Sequence, residues 1–123
     1  MIEIMKALAD ESRLRIVHLL LHEQLCVCEL EYVLQMSQTN VSRHLAKLKN
    51  AGIVQSFKQA QWINYKIAPV FLTEVSLVSY LQAGFLQEEV YQEDFKALKK
   101  HQEQWKGCIA PSRKELQQKR TEK

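Results

Sequence analysis

Residues 36–54 read MSQTNVSRHLAKLKNAGIV, from Met36 to Val54, and this stretch holds a helix start, an amphipathic helix and a helix stop. Ser37 is placed to cap the first turn, its hydroxyl accepting from an unpaired amide, and Gly52 stands just past the end. Val41, Leu45 and Leu48 fall at i, i+4 and i+7, a stripe that faces a core. The other side carries Gln38, Thr39, Asn40, Ser42, Arg43, Lys47 and Lys49, with no carboxylate. Amides, hydroxyls and a guanidinium near a helix N-terminus are the groups that read base edges and hold phosphates. The stretch therefore reads as a DNA recognition helix, the alternative being an ordinary solvated helix face.

Working outward, the segment Tyr32 to Thr73 contains no Asp or Glu but includes Arg43, Lys47, Lys49, Lys58 and Lys66. The formal net charge is only +3, so the acids lie in the flanks and leave a positive region that can attract phosphate. Upstream, Glu29 to Leu34 is expected to be a short helix whose Leu30, Val33 and Leu34 pack beneath the recognition helix. Gln35 and Met36 form the turn of a helix-turn-helix. Downstream, IVQSFKQ from Ile53 and WINYKIA from Trp62 are rich in branched and aromatic residues and predict a hairpin. Lys58, Gln59, Ala60 and Gln61 form its tip, a basic wing that lacks the Gly or Asn-Gly of a tight turn. Trp62 and Tyr65 are expected in the hairpin core, and Lys58, Gln59 and Gln61 on DNA.

Two helices are expected before this unit, Ile2 to Leu8 and Glu11 to His22, with Asp10 capping the second and Leu14, Val17, Leu20 and Leu21 buried. His18 and His22 read as structural. After Pro69, one long helix or two consecutive ones run from Val70 to about Trp105. Phe71, Val75, Val78, Leu81 or Gln82, and Phe85 make one stripe, and Leu72, Leu77, Tyr80 and Leu86 lie off it. An apolar surface this wide predicts a two-fold homodimer, against the alternative of a helix packed within a monomer. The fold class is thus mainly α with a small β-hairpin, a winged helix-turn-helix. Residues 1–105 form one DNA-binding and dimerisation domain and 106–123 a flexible basic tail.

Of 123 residues, 46% are hydrophobic and 25% charged, the balance of a globular domain. Glu3, Lys6, Asp10, Glu11, Arg13 and Arg15 interrupt the first twenty residues. No signal peptide or membrane span is expected there, and a cytoplasmic location follows. Three cysteines, Cys26, Cys28 and Cys108, do not make a disulfide framework and point to ligand or redox chemistry.

With these parts placed, the chain resembles bacterial ArsR/SmtB-type metal-responsive repressors over about residues 5 to 70. The resemblance rests on ALADESRLRIVHLL from Ala7, QLCVCEL from Gln24, SQTNVSRHLAKLKNAGIV from Ser37 and KQAQWINYKIAP from Lys58. It implies a winged helix-turn-helix dimerised through its first and last helices, releasing operator DNA when an inducer binds. The Cys26-Val27-Cys28 pair is similar to that of arsenic- and antimony-sensing members, and also of cadmium- and lead-sensing ones. Thiolates select such soft ions; the resemblance implies As(III) or Sb(III) as inducer, with cadmium, lead or another thiophilic metal as the alternative, and double-stranded operator DNA as the partner.

Inside a regular helix an i, i+2 pair points about 200° apart at ~100° per residue. Sharing an ion is therefore expected to unwind or tilt the helix start and carry Arg43 out of register with the groove. Some arsenic sensors have a third cysteine where this chain has Glu31. Cys108 is the candidate third ligand, the competing reading being a two-thiolate site completed by a small thiol or water. His101 stands without the partner residues of zinc-sensing relatives. His44 belongs to the family's helix signature and is included with the DNA-facing residues, although its place beside Leu48 favours packing. Two other readings of the cysteines remain: an oxidant switch and a small thiol enzyme. The latter is opposed by the absence of a C-x-x-C arrangement and of an anion loop.

Overall fold

The computed structural model describes residues 1–105; Cys108 and the predicted tail, 106–123, lie outside the described residues. The elements run α1 (Ile2–Leu8), α2 (Glu11–His22), β1 (Leu25–Cys26), α3 (Val27–Leu34), α4 (Gln38–Asn50), β2 (Val54–Gln59), β3 (Trp62–Ile67), α5 (Pro69–Leu72), α6 (Val75–Gln87) and α7 (Glu89–Trp105). Asp10 caps α2 by accepting from the Arg13 amide at 3.0 Å, and Ser37 caps α4 by accepting from the Asn40 amide at 3.2 Å. At the far end of α4, the Gly52 amide donates to Lys49 and the Ile53 amide to Leu48, each at 3.0 Å. That pairing requires the left-handed backbone Gly52 adopts at φ 78°.

α2 is the hub, packed against α1, α4, α7 and β3. Its buried set is therefore wider than one stripe: Ile16, Val17 and Leu19 are fully enclosed, His18 and Leu20 nearly so, and Leu14 and Leu21 only half-buried. Val41, Leu45 and Leu48 of α4 face this core, as do Leu30, Val33 and Leu34 of α3.

The sequence-based reading is corrected in several places. α3 begins at Val27, not near Glu29, because Cys26 occupies its N-cap in extended backbone. The hairpin gains a third strand: Leu25 and Cys26 pair antiparallel with Tyr65 and Asn64, giving the order β1-β3-β2. The hairpin turn is the two residues Ala60 and Gln61, with Ala60 supplying the positive φ of 56° that glycine would have signalled. Beyond Pro69 the chain forms one short turn and two helices, parted by Glu88 in extended backbone. Of these, α7 buries Tyr91, Asp94, Leu98 and His101 inside the protomer. The two-sided apolar helix is α6, where Val75, Tyr80 and Leu86 are exposed beside Leu72 of α5.

His18 gives the fold a pH dependence. Its ring lies 4.9 Å from that of His22, 5.0 Å from Phe85 and 5.6 Å from Tyr91. Burial, then the neighbouring His22, pushes its pKa down to about 4, with Asp94 partly opposing. The unfolded chain takes up this proton near 6.5. Stability is then fully present above pH 6.5 and is lost as pH falls toward 4, by about 2–3 kcal/mol. Urea midpoints at fixed protomer concentration should fall across that window, and His18→Leu should flatten the fall.

Candidate thiol site and nucleic-acid interface

The thiol site is built where β1 turns into α3. Cys26, at the N-cap with φ −89° and ψ 168°, is outside the helix, and Cys28 is in its first turn. The two sulfurs are 3.0 Å apart. The expected 200° divergence does not arise, because one of the two residues is not helical, so the pair already converges. Two sulfurs sharing an ion at about 2.3 Å each in tetrahedral geometry would stand about 3.8 Å apart. The adjustment required is below an ångström.

A reciprocal cap holds this turn. The Cys26 sulfur faces the Glu29 amide, and the Glu29 carboxylate accepts from the Cys26 amide at 3.1 Å. The Cys26 thiol is held below its ordinary pKa, first by the hydrogen bond with Cys28 and then by backbone amides; burial opposes them. Cys28 is pushed far up, because its proton sits in that hydrogen bond beside the first sulfur and because it is buried. The pair is thus a buried sulfur at a helix N-terminus, held low, hydrogen-bonded to a half-buried one, held high.

His101 is not alone. Its Nε2 is 3.2 Å from the second oxygen of Glu29, both side chains are 2% exposed, and the Tyr32 ring lies 5.3 Å from the imidazole. α7 is thereby tied to the thiol turn across 72 residues of sequence. A second tie joins it to α2, where Arg15 donates twice to Asp94 at 2.8 and 2.9 Å. Sequence reasoning missed both, and also Asn64, fully buried opposite Cys26 with its amide atoms unpartnered among the described residues. Glu29 did carry one local signal, lying three residues after an N-cap. Among the described residues no group of three or more His, Cys, Asp or Glu side chains is placed to hold a metal ion. Trp62 is not hairpin core: it is half-buried and, with Cys26, Val27, Cys28, Glu31, Gln38 and Ile63, lines a hollow of about 260 Å³ over the sulfurs.

On α4, Ser37, Gln38, Thr39, Asn40, Ser42, Arg43 and Lys47 are all exposed. Arg43 donates to the Asn40 side chain at 2.9 Å, which aligns a guanidinium and an amide on the outer face. Lys49 instead donates to Ser56 at 2.8 Å and ties the helix to the wing. His44 is placed differently from the rest. It is half-buried with Nδ1 3.3 Å from Arg13, whose Nε in turn donates to Ala7 at 2.6 Å. Burial lowers its pKa, with nearby Asp10 opposing. In the wing, Lys58 and Gln61 are exposed, whereas Gln59 is half-buried with its side-chain oxygen unpartnered among the described residues. Among the described residues no helix is long and apolar enough to cross a membrane.

A recognition helix cantilevered on α2 and α3, beside a basic three-stranded wing, defines the winged helix-turn-helix class of regulators. The model of the bacterial regulatory protein arsR family matches residues 10–56. The chain is 49% identical over 70 residues to the arsenical resistance operon repressor of Escherichia coli, covering 55% of this chain and 59% of that protein. It is 37% identical over 87 residues to the cadmium resistance regulatory protein CadC of Listeria innocua, covering 69% of each. Among solved structures, a homodimeric winged helix-turn-helix domain of a possible ArsR-family regulator from Mycobacterium bovis superposes with a TM-score of 0.59. That match has 28% identity and covers 69% of this chain and 80% of the other. The chain belongs to the arsR family of bacterial regulatory proteins. It spans about half to three fifths of the length of the arsenic-resistance relatives it matches.

Proposed function

We propose that this protein is an arsenic- and antimony-responsive repressor. It binds operator DNA as a homodimer and leaves it when As(III) or Sb(III) is captured by Cys26 and Cys28. The observation that carries this reading is the sulfur pair itself, 3.0 Å apart at the N-cap of the helix supporting the recognition helix. A soft trivalent ion suits two such sulfurs. Capture takes the Cys26 sulfur from its capping role, so the first turn of α3 loses an acceptor and shifts under α4. Cys108 remains the proposed third ligand. The exposed apolar side chains of α1 and α6, including Ile2, Met5, Tyr80 and Leu86, are the proposed dimer face.

The reading is tested by titrating a labelled duplex containing the protein's own promoter, with the dimer bound, against arsenite and cadmium. Release by arsenite at lower concentration is expected. Release by cadmium alone would transfer the assignment to a cadmium-type regulator, a second reading that the Listeria relative favours. In the DNA-bound form Ser37, Gln38, Thr39, Asn40, Ser42, Arg43 and Lys47 line the groove, with Lys58, Gln59 and Gln61 at the wing. Arg43→Ala should weaken specific binding about tenfold or more, because a guanidinium to base edges contributes roughly 1–3 kcal/mol. Lys58→Ala should reduce the slope of affinity against salt by about 1 and weaken all duplexes alike. Fluorescence anisotropy across a salt series checks both.

A further inference from the structure

Arg13 stands where three helices meet, and its bonds fix the chemistry of one residue of the recognition helix. Its Nε donates to the Ala7 carbonyl at 2.6 Å and one terminal nitrogen to the Lys6 carbonyl at 3.4 Å, both in the last turn of α1. The other terminal nitrogen lies 3.8 Å from the Asp10 carboxylate and 3.3 Å from Nδ1 of His44 on α4. With its side chain only 11% exposed, Arg13 is spent on these contacts and does not itself reach toward DNA. A guanidinium has donors and no acceptor. The hydrogen in the contact with His44 is therefore Arg13's, and Nδ1 must offer a lone pair. The imidazole is then neutral, with its hydrogen on Nε2. Burial favours that neutral form by lowering the His44 pKa; Arg13, Arg43 and Lys47 act in the same sense, and Asp10 opposes. Among the described residues no protein group accepts from Nε2.

Resting on the operator-binding part of the reading above, we infer that His44 donates Nε2–H to an operator phosphate as an uncharged group, and that Arg13 is the positioning residue that fixes this tautomer. A lone N–H discriminates poorly between base pairs but suits a phosphate oxygen, and such contacts set the register of a recognition helix rather than read sequence. The position on α4 fits that role. His44 is half-buried on the flank turned toward α2, whereas the Asn40–Arg43 pair occupies the outer face. Through Arg13 the last turn of α1 is bonded to the same ring, so the docking of α1 also sets where the ring meets the DNA backbone.

The test uses the full chain and a labelled duplex of its own promoter. Long-range nitrogen–proton NMR of histidine-labelled protein should show Nδ1 of His44 without a hydrogen at neutral pH, and Arg13→Met should admit the other tautomer. Two substitutions divide the functions of the ring: Asn keeps an acceptor near Nδ1 for Arg13, whereas Gln reaches the position of Nε2 and keeps a donor there. His44→Asn should weaken operator binding about tenfold or more, and His44→Gln by less than about threefold. Because the donor is uncharged, the slope of affinity against salt should be the same in both variants as in the unmodified protein, unlike in Lys58→Ala. Equal affinities of the two His44 variants, a slope reduced by about 1, a hydrogen on Nδ1, or a tautomer untouched by Arg13→Met overturns this inference and leaves operator binding standing. Failure of the unmodified protein to bind the promoter duplex instead overturns the operator-binding reading itself.

Discussion

Cys26→Ser should leave operator affinity within about twofold and weaken arsenite-driven release by about 100-fold or more. Loss of an outer-shell partner alone costs a thiophilic site 10–100-fold, and here a ligand is lost. Serine keeps the shape and can still accept from the Glu29 amide, since it is a good N-cap residue. The α3 start, and with it the platform under α4, should therefore persist. What disappears is the sulfur whose proton leaves most readily, held low by Cys28 and by the backbone amides of the α3 turn. Cys28→Ser should abolish release to a similar degree by a different route. It removes the second sulfur, so no ion can be shared, while the serine hydroxyl still stands beside Cys26. Iodoacetamide rates against pH follow both thiols: Cys26, the lower-titrating sulfur, should begin to react at the lower pH. Retained release in Cys26→Ser would mean that the inducer binds elsewhere.

That asymmetry was not legible in the sequence, although much of the scaffold was. α2 and α4 are bounded by local signals, Asp10, Ser37 and Gly52, each acting within a few residues of the helix end it serves. The helix-turn-helix and wing follow from the same local rules. β1 does not, because a two-residue strand exists only through its pairing with Tyr65 and Asn64, nearly forty residues away. Once Leu25 and Cys26 are held as strand, Cys26 becomes the cap of α3 and the sulfurs converge. A purely helical reading of the Cys-Val-Cys spacing drives them apart. In the proposed mechanism the inducer and the helix N-terminus then compete for one sulfur. The run from Tyr32 to Thr73 is free of acids, yet only the fold shows that Lys49, exposed like Lys47, is bonded to Ser56 of the wing.

The largest stability effect is expected at Glu29, a residue to which the sequence reading gave no role. Glu29→Ala should destabilise the fold by about 3–5 kcal/mol, the range for removing one partner of a buried charged or hydrogen-bonded pair. Glu29 is 2% exposed and satisfies two buried donors at once, the Cys26 amide at 3.1 Å and His101 at 3.2 Å. Truncation leaves both without an acceptor and opens a void between α3 and α7. Glu29→Gln retains an acceptor for the Cys26 amide and the volume, so it should cost about half as much. The double variant Glu29→Ala with His101→Leu should be more stable than Glu29→Ala alone, because the orphaned imidazole is gone. This non-additivity is diagnostic of direct coupling. Urea denaturation of the unmodified protein, Glu29→Ala, His101→Leu and the double variant at one protomer concentration supplies the cycle. Additive losses would show that His101 and Glu29 are neighbours without a shared bond. If they are coupled, α7 is fastened directly to the turn that holds the sulfurs. His101→Leu should then raise the alkylation rate of Cys28 by loosening that turn, while Asp94→Ala, which frees α7 from α2 at Arg15 instead, should leave the rate unchanged.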